Sequence, residues 1–240
     1  MIPKIIHYCW FGESKMPELS RKCIQSWHNK LPDFELKLWN ELNFDIHSVP
    51  FVEEAYSSKK YAFVTDYVRL YVLLQFGGIY LDTDVEILKD FDELLALPGF
   101  IGYESKNELQ TGVIGSEKNN TWVKEQISLY EGKHFLVSGN KKDLTSNVKL
   151  LSDSMIANGF ILDNNYRVYK NCMHFFPTEY FCAKTKTGII NITPNTYCIH
   201  HFYASWDTPV TKLKRMFFRK IIGPKHTEML LGIKKRIIKK

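Results

Sequence analysis

Two aspartates, Asp82 and Asp84, follow a short apolar run and are the residues whose spacing most directly suggests chemistry. In an extended chain, residues two apart face the same side, with Cα atoms about 6.5 to 7 Å apart. Two carboxylates held that close repel each other unless a cation lies between them. Oxygen ligands of this kind suit Mg²⁺ or Mn²⁺, with substrate phosphates completing the coordination shell. The alternative is a solvated junction between a strand and a loop.

A second pair of charged residues, Asp66 and Arg69, interrupts the most apolar helical run of the chain. Their spacing places both on one face of a helix. We expect Ser57 and Ser58 to cap the start of this helix and Gly77 to end it. Charges inside a buried helix are costly unless they are paired or used, so the pair is either a structural ion pair or part of a site.

Apolar runs and alternating patterns predict the elements that position these groups. Strand, helix and strand follow one another at the start of the chain, which is typical of an α/β domain with a parallel sheet. In open α/β sheets, ligands bind at the carboxyl ends of the strands, and Asp82 lies at such an end. The predicted strands span residues 2–11, 34–39, 78–81, 100–103, 111–115 and 197–202, and the predicted helices span residues 19–27 and 59–76.

Length and composition bound the class of protein. The 240 residues, 45% hydrophobic and 24% charged, suit an ordinary globular domain and argue against general disorder. No stretch approaches the roughly 20 apolar residues of a membrane-spanning helix, and the N-terminus becomes polar too early for a secretion signal. We therefore expect a cytoplasmic protein. The five cysteines include no Cys-x-x-Cys pair, which favours buried reduced thiols over disulfides or a zinc site.

The formal net charge of +6 is unevenly distributed. Residues 212–240 carry eleven cations and one acid, which leaves a net charge of −4 on the preceding residues. Cations alternate with apolar residues in this tail, a pattern typical of an amphipathic segment on a membrane. We expect the tail to bind the anionic inner surface of the cell membrane, with a solvated tail or a helix packed on the body as alternatives. No motif for base stacking or groove reading supports nucleic acid binding.

Three blocks of sequence, at residues 2–12, 62–84 and 195–206, follow one another in a recognisable order. They resemble the first strand, the DXD signature and the closing motif of glycosyltransferase family 32, the DXD-containing sugar-binding family. The resemblance is closest to bacterial members of the capsular or exopolysaccharide type. It implies a GT-A fold, which is a Rossmann-like α/β fold with a mainly parallel central sheet, followed here by the basic amphipathic tail.

The resemblance also implies a reaction. A hexose passes from a nucleotide diphosphate sugar to a saccharide acceptor, with retention at the anomeric carbon. Negative charge then develops on the leaving diphosphate, where a divalent cation and an arginine are stabilising. Mn²⁺ or Mg²⁺ is the expected cofactor, and UDP is the preferred nucleotide, with GDP as the alternative. A membrane-binding tail suits a lipid-linked acceptor and a place in the synthesis of a bacterial surface polysaccharide (capsule, exopolysaccharide or O-antigen).

The resemblance assigns roles to residues of the first two blocks. Asp84 binds the metal directly, and Asp82 reaches it through water while contacting the ribose or the sugar. Asp66 and Arg69 hold donor-sugar hydroxyls and the diphosphate region. Trp10 stacks on or walls the nucleotide base, with a core position as the alternative.

The closing motif supplies the remaining roles. His200 is the further metal ligand that the resemblance implies, and His201 is its alternative, because neighbouring residues of a strand face opposite sides. Ser205 and Trp206 close over the diphosphate, although Trp206 also suits a plug at the sheet edge. No general base is expected, because a leaving phosphate oxygen takes the acceptor proton. Gln110 is the group expected near the acceptor side of the sugar.

These assignments define a domain organisation. The catalytic domain covers residues 1–211, and the tail covers residues 212–240. Within the domain, we expect a nucleotide-sugar half at about 1–116, acceptor-side elements at about 100–195 and the closing motif at 195–206.

Two other functions stay open. Aspartate-nucleophile phosphatases of the haloacid dehalogenase type also carry Asp-x-Asp after a buried strand, but their motif requires Thr or Val where Glu86 stands. A non-catalytic membrane adaptor with a decayed sugar-nucleotide pocket would keep the tail without needing Asp82, Asp84 and Arg69. Hydrolysis of a donor in the presence of Mn²⁺ would separate the enzyme from the adaptor.

Overall fold

The computed structural model describes residues 1–203, except the side chain of Asn140, and has a central sheet covered on both faces. In this part of the chain the strands are β1 (Ile5–Cys9), β2 (Glu35–Trp39), β3 (Gly78–Leu81), β4 (Val85–Ile87), β5 (Gly99–Ser105), β6 (Glu108–Ser116), β7 (Leu136–Val137), β8 (Lys141–Lys142), β9 (Arg167–Tyr169), β10 (Met173–Phe176) and β11 (Cys198–His200). The α-helices are α1 (Glu18–Lys30), α2 (Pro50–Ser57), α3 (Tyr61–Phe76), α4 (Thr121–Ser128), α5 (Asn147–Ala157) and α6 (Thr178–Phe181).

Seven strands form one sheet in the order β2-β1-β3-β6-β5-β10-β9. β1 pairs in parallel with β2 and β3, and β10 pairs in parallel with β5. β6 runs antiparallel to both β3 and β5, and β9 runs antiparallel to β10. Five of the seven strands therefore point the same way, which confirms the predicted α/β architecture with a mainly parallel sheet. β4 pairs with β11, and β7 with β8, outside this sheet.

Both faces of the sheet are packed, so its central strands are apolar on both sides. On β3, Ile79 and Leu81 lie in the core with Trp27 of α1, whereas Tyr80 lies in the opposite core with Val68 of α3. This alternation has the two-residue period of a strand. The polar residues that follow β3 therefore lie at the end of a strand that is packed on both faces.

The joint between α3 and β3 positions the charged residues of the helix. Gly77 and Gly78 have φ values of +66° and +102°. A Cβ atom at Gly77 would lie 2.6 Å from the backbone nitrogen of Lys118, so the close approach requires glycine. From Asp66 to the end of α3 the helix rises about 15 Å, and from Gly78 to Asp82 the strand extends about 13 Å. Because the helix and the strand run in opposite directions and have similar lengths, Asp66 lies at the same level as Asp82, at the carboxyl end of β3.

The start of α3 differs from the prediction. α2, which was not predicted, ends where the cap was expected, with Ser57 as its last residue and Ser58 at its C-cap. α3 begins after Lys60 without a side-chain cap. The prediction that the two serines cap α3 is therefore wrong, whereas the end of α3 at Gly77 is confirmed.

The cysteines, the late strand and the C-terminal residues were also subjects of prediction. All five cysteines are unpaired, and four of them are buried, as predicted. The late strand is shorter than expected, since β11 covers only Cys198–His200. Among residues 1–203, no helix has both the length and the apolar character that crossing a bilayer requires. Ser205, Trp206 and the basic tail at 212–240 lie outside the described residues.

Candidate functional site

Asp82, Asp84 and His200 meet at the carboxyl end of β3. One ligand atom of each lies within 4.8 Å of the others. His200 Nε2 is 3.3 Å from Asp84 Oδ1 and 3.9 Å from Asp82 Oδ2. The exposed fractions of the three side chains are only 20%, 13% and 10%, in that order. We name these three residues the carboxylate–histidine cluster.

The short ladder between β4 and β11 brings His200 to the aspartates. His200 lies opposite Val85, the residue after Asp84. Beyond the strand, the backbone N–H of His201 donates to the carbonyl of Asp84 at 2.9 Å. The backbone N–H of Tyr203 donates to Asp84 Oδ2 at 2.8 Å. Asp84 is thereby fixed through one oxygen, and its other oxygen faces His200.

His201 has different partners. Its Nε2 lies 2.8 Å from Glu86 Oε2, and its Nδ1 lies 3.4 Å from Lys184 Nζ. His201 directly follows β11, and its side chain contacts Glu86 and Lys184 rather than the aspartates. Of the two candidates, the structure brings His200 into the cluster.

Tyr80 of β3 and Arg69 of α3 contact the other oxygen of Asp82. The Tyr80 hydroxyl donates to Asp82 Oδ1 at 2.8 Å, and Arg69 Nη1 lies 3.4 Å from the same oxygen. Arg69 also donates to Asp66 Oδ1 at 3.0 Å and to the carbonyl of Thr111, and its Cζ lies 4.7 Å from the centre of the Tyr80 ring. Asp66 and Arg69 are thus an ion pair that is continuous with the candidate site.

Burial and neighbouring charges shift the pKa values of these groups. Burial raises the pKa of Asp66 to about 7, although Arg69 opposes the shift. Burial lowers the pKa of His200, but Asp84 and the other nearby carboxylates outweigh it and raise that pKa to about 9. Burial likewise opposes ionisation of Asp84, yet the charge of His200 holds its pKa below the usual value. In the metal-free protein His200 and Asp84 therefore form an ion pair.

The cluster has the donors and the space that a divalent cation requires. A Cβ atom at Gly112 would lie 3.0 Å from Asp82 Oδ2 and 3.1 Å from His200 Cε1, so glycine lets β6 pass close to both ligands. His200 Nδ1 is buried and has no hydrogen-bond partner among residues 1–203. Two carboxylates and an imidazole are suitable ligands for Mn²⁺ or Mg²⁺. A cation would displace the proton from His200 when it binds.

Two further candidates, Trp10 and Gln110, are not among the three residues of the cluster. Trp10 directly follows β1, whose carboxyl end lies beside that of β3, and its half-buried indole donates to the Ser14 carbonyl at 2.7 Å. Gln110 is fully buried, and its amide bonds both the N–H and the carbonyl of Val113. Gln110 therefore stabilises the backbone of β6, and its role near an acceptor stays a prediction.

Three residues have roles in the site that the sequence analysis did not assign. Tyr80 lies two residues before Asp82, so the strand period already places both on one face. Gly112 is a glycine within a strand pattern, which indicates a close approach of neighbouring groups. Phe202 has a left-handed φ of +52° and stacks on the His200 ring with centroids 4.3 Å apart, and no sequence signal indicates this conformation.

Comparisons with known proteins identify the class of this site. Residues 17–100 match a family model described as the glycosyltransferase sugar-binding region containing the DXD motif. Inositol phosphoceramide mannosyltransferase 3 of Schizosaccharomyces pombe is 31% identical over 130 residues, which cover 52% of this chain and 36% of that protein. An uncharacterized glycosyltransferase of Acanthamoeba polyphaga mimivirus is 28% identical over 243 residues, covering 91% of this chain and 88% of that protein.

Among solved structures, the PaToxG glycosyltransferase is similar, with 19% identity and a TM-score of 0.48 over 65% of this chain and 69% of that chain. The matched segments span about a third of the length of the fungal relatives. The family match includes Asp66, Arg69, Asp82 and Asp84, four residues of the site described above. Within residues 17–100, the chain thus resembles the DXD-containing sugar-binding region of glycosyltransferases.

Proposed function

We propose that this chain transfers a hexose from a nucleotide diphosphate sugar to a saccharide acceptor and depends on a divalent cation. The observation that carries the proposal is the carboxylate–histidine cluster, joined through Asp82 to the buried pair of Arg69 and Asp66. In a chain that resembles this family, that arrangement combines a cation site with a fixed positive charge, which is what a diphosphate requires.

The residues of the site are suited to stabilise a leaving diphosphate. A cation bound by Asp82, Asp84 and His200 would neutralise charge on the phosphate oxygens. Arg69 adds a positive charge that Asp66 and the Thr111 carbonyl already hold in place. Because these groups are fixed before the reaction, little energy is spent on reorganising them as charge develops.

We propose that the transfer retains the configuration of the anomeric carbon. The bond between that carbon and the phosphate oxygen breaks, and a bond from the acceptor oxygen forms on the same face. The proton of the acceptor hydroxyl passes to the departing phosphate oxygen. Catalysis then depends on positioning and charge, and it needs no strong base from the protein.

The proposal also covers the sugar donor, the acceptor and the location of the protein in the cell. UDP-hexoses stand first, and the names of the fungal mannosyltransferase relatives are the reason to test GDP-mannose beside them. We propose a lipid-linked saccharide as the acceptor and a peripheral position on the cytoplasmic face of a bacterial membrane, reached through residues 212–240. Synthesis of a surface polysaccharide, such as a capsule, fits this combination.

The test is the melting temperature with UDP-glucose, UDP-galactose, UDP-N-acetylglucosamine or GDP-mannose, each with Mn²⁺ or with EDTA. A ligand at 100 times its dissociation constant adds about 2.7 kcal/mol of stability. We expect one donor to raise the melting temperature only with the metal, and Asp84→Asn to abolish the shift. Asp153→Asn is the matched control, because Asp153 is an exposed partner of Lys149 on α5. The proposal fails if no donor shifts the wild type or if Asp84→Asn keeps the shift.

A further inference from the structure

Glu104 is a buried carboxylate beside the candidate site that the proposed mechanism does not use. Its side chain is 6% exposed and forms an ion pair with Lys186, whose side chain is 59% exposed. Burying a carboxylate is costly, and a buried ion pair often stabilises a fold no more than apolar side chains of similar size. A role beyond stability therefore explains Glu104 better than stability alone.

Glu104 lies at the same edge of the sheet as the carboxylate–histidine cluster. β3 and β5 run in the same direction, with only β6 between them. Asp82 directly follows β3, and Glu104 is the last but one residue of β5. Strands separated by one other strand lie about 10 Å apart. Glu104 and the cluster therefore lie near enough for one sugar nucleotide to contact both.

Glu104 also faces the side from which His200 comes. On β5, Phe100 stacks on Phe181 of α6, and a Cβ atom at Gly102 would meet the same ring. The pairing of β5 is irregular between Tyr103 and Ser105, but Glu104 stays close to α6: burial and, to a smaller extent, the charge of Glu104 raise the pKa of Cys182, the residue after α6. The carbonyl of Phe181 accepts a bond from Cys198 on β11, the strand of His200. Glu104 is also one of the charges that raise the pKa of His200.

Lys186 covers Glu104 from a short hairpin at residues 183–191. Backbone bonds join Thr185 to Ile189 and Asn191 to Ala183 in this segment. Lys184 of the same hairpin lies 3.4 Å from His201 Nδ1, so the hairpin spans the side of the site from β5 to β11. A lysine with a long and largely exposed side chain leaves its partner without moving the backbone.

We infer that Glu104 binds hydroxyl groups of the hexose carried by the nucleotide sugar, and that Lys186 covers this carboxylate until the sugar arrives. The inference rests on the proposed function and names a determinant of its sugar specificity. An ionised carboxylate accepts hydrogen bonds from two neighbouring hydroxyls, and such bonds are about twice as strong as neutral ones. The hydroxyls replace the ammonium group of Lys186, so Glu104 keeps partners in both states.

The experiment compares Glu104→Gln with Lys186→Met in the full-length chain. Each variant removes one charge of the same ion pair and keeps much of the side-chain volume. Dissociation constants are measured by thermal shift in Mn²⁺, first for UDP and GDP and then for UDP-glucose, UDP-galactose and GDP-mannose. Asp143→Asn is the control, because Asp143 forms another partly buried ion pair, with Lys133, outside the cluster.

We expect Glu104→Gln to bind the nucleotides as the wild type does and to bind the preferred sugar nucleotide about tenfold more weakly. Lys186→Met should bind that sugar nucleotide at least as tightly as the wild type, because it removes the group that the sugar displaces, and Asp143→Asn should keep the wild-type affinity. The inference is overturned if Glu104→Gln keeps this affinity, or if Glu104→Gln and Lys186→Met lose it equally, as a purely structural ion pair would. A wild type that binds neither nucleotides nor sugar nucleotides contradicts the proposed function itself, and the inference falls with it.

Discussion

At the scale of single residues, Asp82 divides its two carboxylate oxygens between two tasks. Oδ1 accepts a hydrogen bond from Tyr80 and faces Arg69, whereas Oδ2 faces His200. Its backbone N–H donates to the Gly112 carbonyl at 2.8 Å, which extends the pairing of β3 by one residue. Asp82 thus contacts both Arg69 of α3 and His200 of the carboxylate–histidine cluster.

Removing the Tyr80 hydroxyl should weaken metal binding while leaving the fold intact. Tyr80→Phe keeps the buried ring beneath Arg69 but removes the donor that orients Asp82. Loss of an orienting partner typically reduces metal affinity 10- to 100-fold, so we expect a dissociation constant for Mn²⁺ about tenfold higher. The loss of stability without metal should stay near 1 kcal/mol. Calorimetric titration with Mn²⁺ measures the first value, and urea unfolding in EDTA measures the second.

Tyr103→Phe is the matched control for this experiment. Tyr103 is fully buried on β5 and packs near Phe175, in the core rather than against the aspartates. Its substitution should leave the Mn²⁺ affinity unchanged. Equal affinities in Tyr80→Phe and the wild type would show that the Tyr80 hydroxyl does not orient Asp82 for the metal.

Gly112 should tolerate no side chain while the cluster binds a metal. The Cβ atom of Gly112→Ala would lie 3.0 Å from Asp82 Oδ2 and 3.1 Å from His200 Cε1, closer than ordinary contacts. Both ligands must then shift, and we expect the stabilisation by Mn²⁺ to fall by at least tenfold in apparent affinity. Melting curves of the variant with Mn²⁺ and with EDTA measure the effect. A Mn²⁺ shift as large as that of the wild type would refute the prediction.

At the scale of elements, the ladder of β4 and β11 decides which histidine serves the site. His200→Gln should abolish the Mn²⁺-dependent rise in melting temperature, because it removes the imidazole beside Asp84. His201→Gln should keep that rise, because His201 contacts Glu86 and Lys184 instead. The same melting curves test both variants. Equal losses would mean that the ladder as a whole, rather than the His200 ring, supports binding.

The elements also show how far the sequence predicts this molecule. α3, β3 and the aspartates after β3 follow from local patterns, namely an apolar helix, two glycines and an apolar strand. The choice between His200 and His201 does not follow, because it depends on the register of β11 against β4, which are far apart in the chain. α2 was missed because Ser57, its last residue, and Ser58, its C-cap, also suit the start of the next helix.

Side chains that act across the sheet were harder still to predict. Glu104 and Lys186 become partners only when β5 and the 183–191 hairpin pack together, and no spacing in the sequence records that contact. The alternation on β3 does indicate that Tyr80 and Asp82 share a face. Periodicity gives the face of a residue, whereas its partner depends on tertiary packing.

At the scale of the whole molecule, His7 joins three parts of the fold. Trp39 on β2 donates to its Nδ1 at 3.1 Å, so its Nε2 carries the hydrogen and donates to the Gly77 carbonyl at 2.8 Å. The bond from Trp39 requires the neutral ring, because a protonated Nδ1 cannot accept it, whereas the bond to the Gly77 carbonyl is compatible with either form of the ring. Burial, with a smaller contribution from Lys37, lowers the pKa of His7 to about 4. Protonation of this ring would therefore break the side-chain bond between β1 and β2 and place a charge in the core.

Stability should consequently fall as the pH falls. The unfolded chain takes up the proton of His7 near pH 6.5 and the folded chain only near pH 4, so the contribution is complete above pH 6.5 and disappears toward pH 4. The two pKa values correspond to about 3 kcal/mol over this range. In His7→Gln this part of the pH dependence should be missing. Urea unfolding of both proteins between pH 7 and 4 tests it, and equal slopes would contradict it.

The charge of the tail predicts binding to anionic membranes. Full-length protein should sediment with vesicles that contain phosphatidylglycerol, and a chain ending at residue 211 should not, because it lacks the net charge of +10. Binding should also weaken as the salt concentration rises. Vesicles of neutral phosphatidylcholine are the control. Equal sedimentation of the two chains with anionic vesicles would exclude the tail as the contact.

The long separation between β4 and β11 has a consequence for protein synthesis. The ribosome completes Asp82, Asp84 and β4 long before it adds His200, which lies more than 110 residues further along the chain. A nascent chain, or a product of premature termination before β11, therefore carries two acidic ligands without the imidazole that completes them. If a cation binds the cluster as proposed, its stabilisation of the fold should be confined to chains that have been translated past His200.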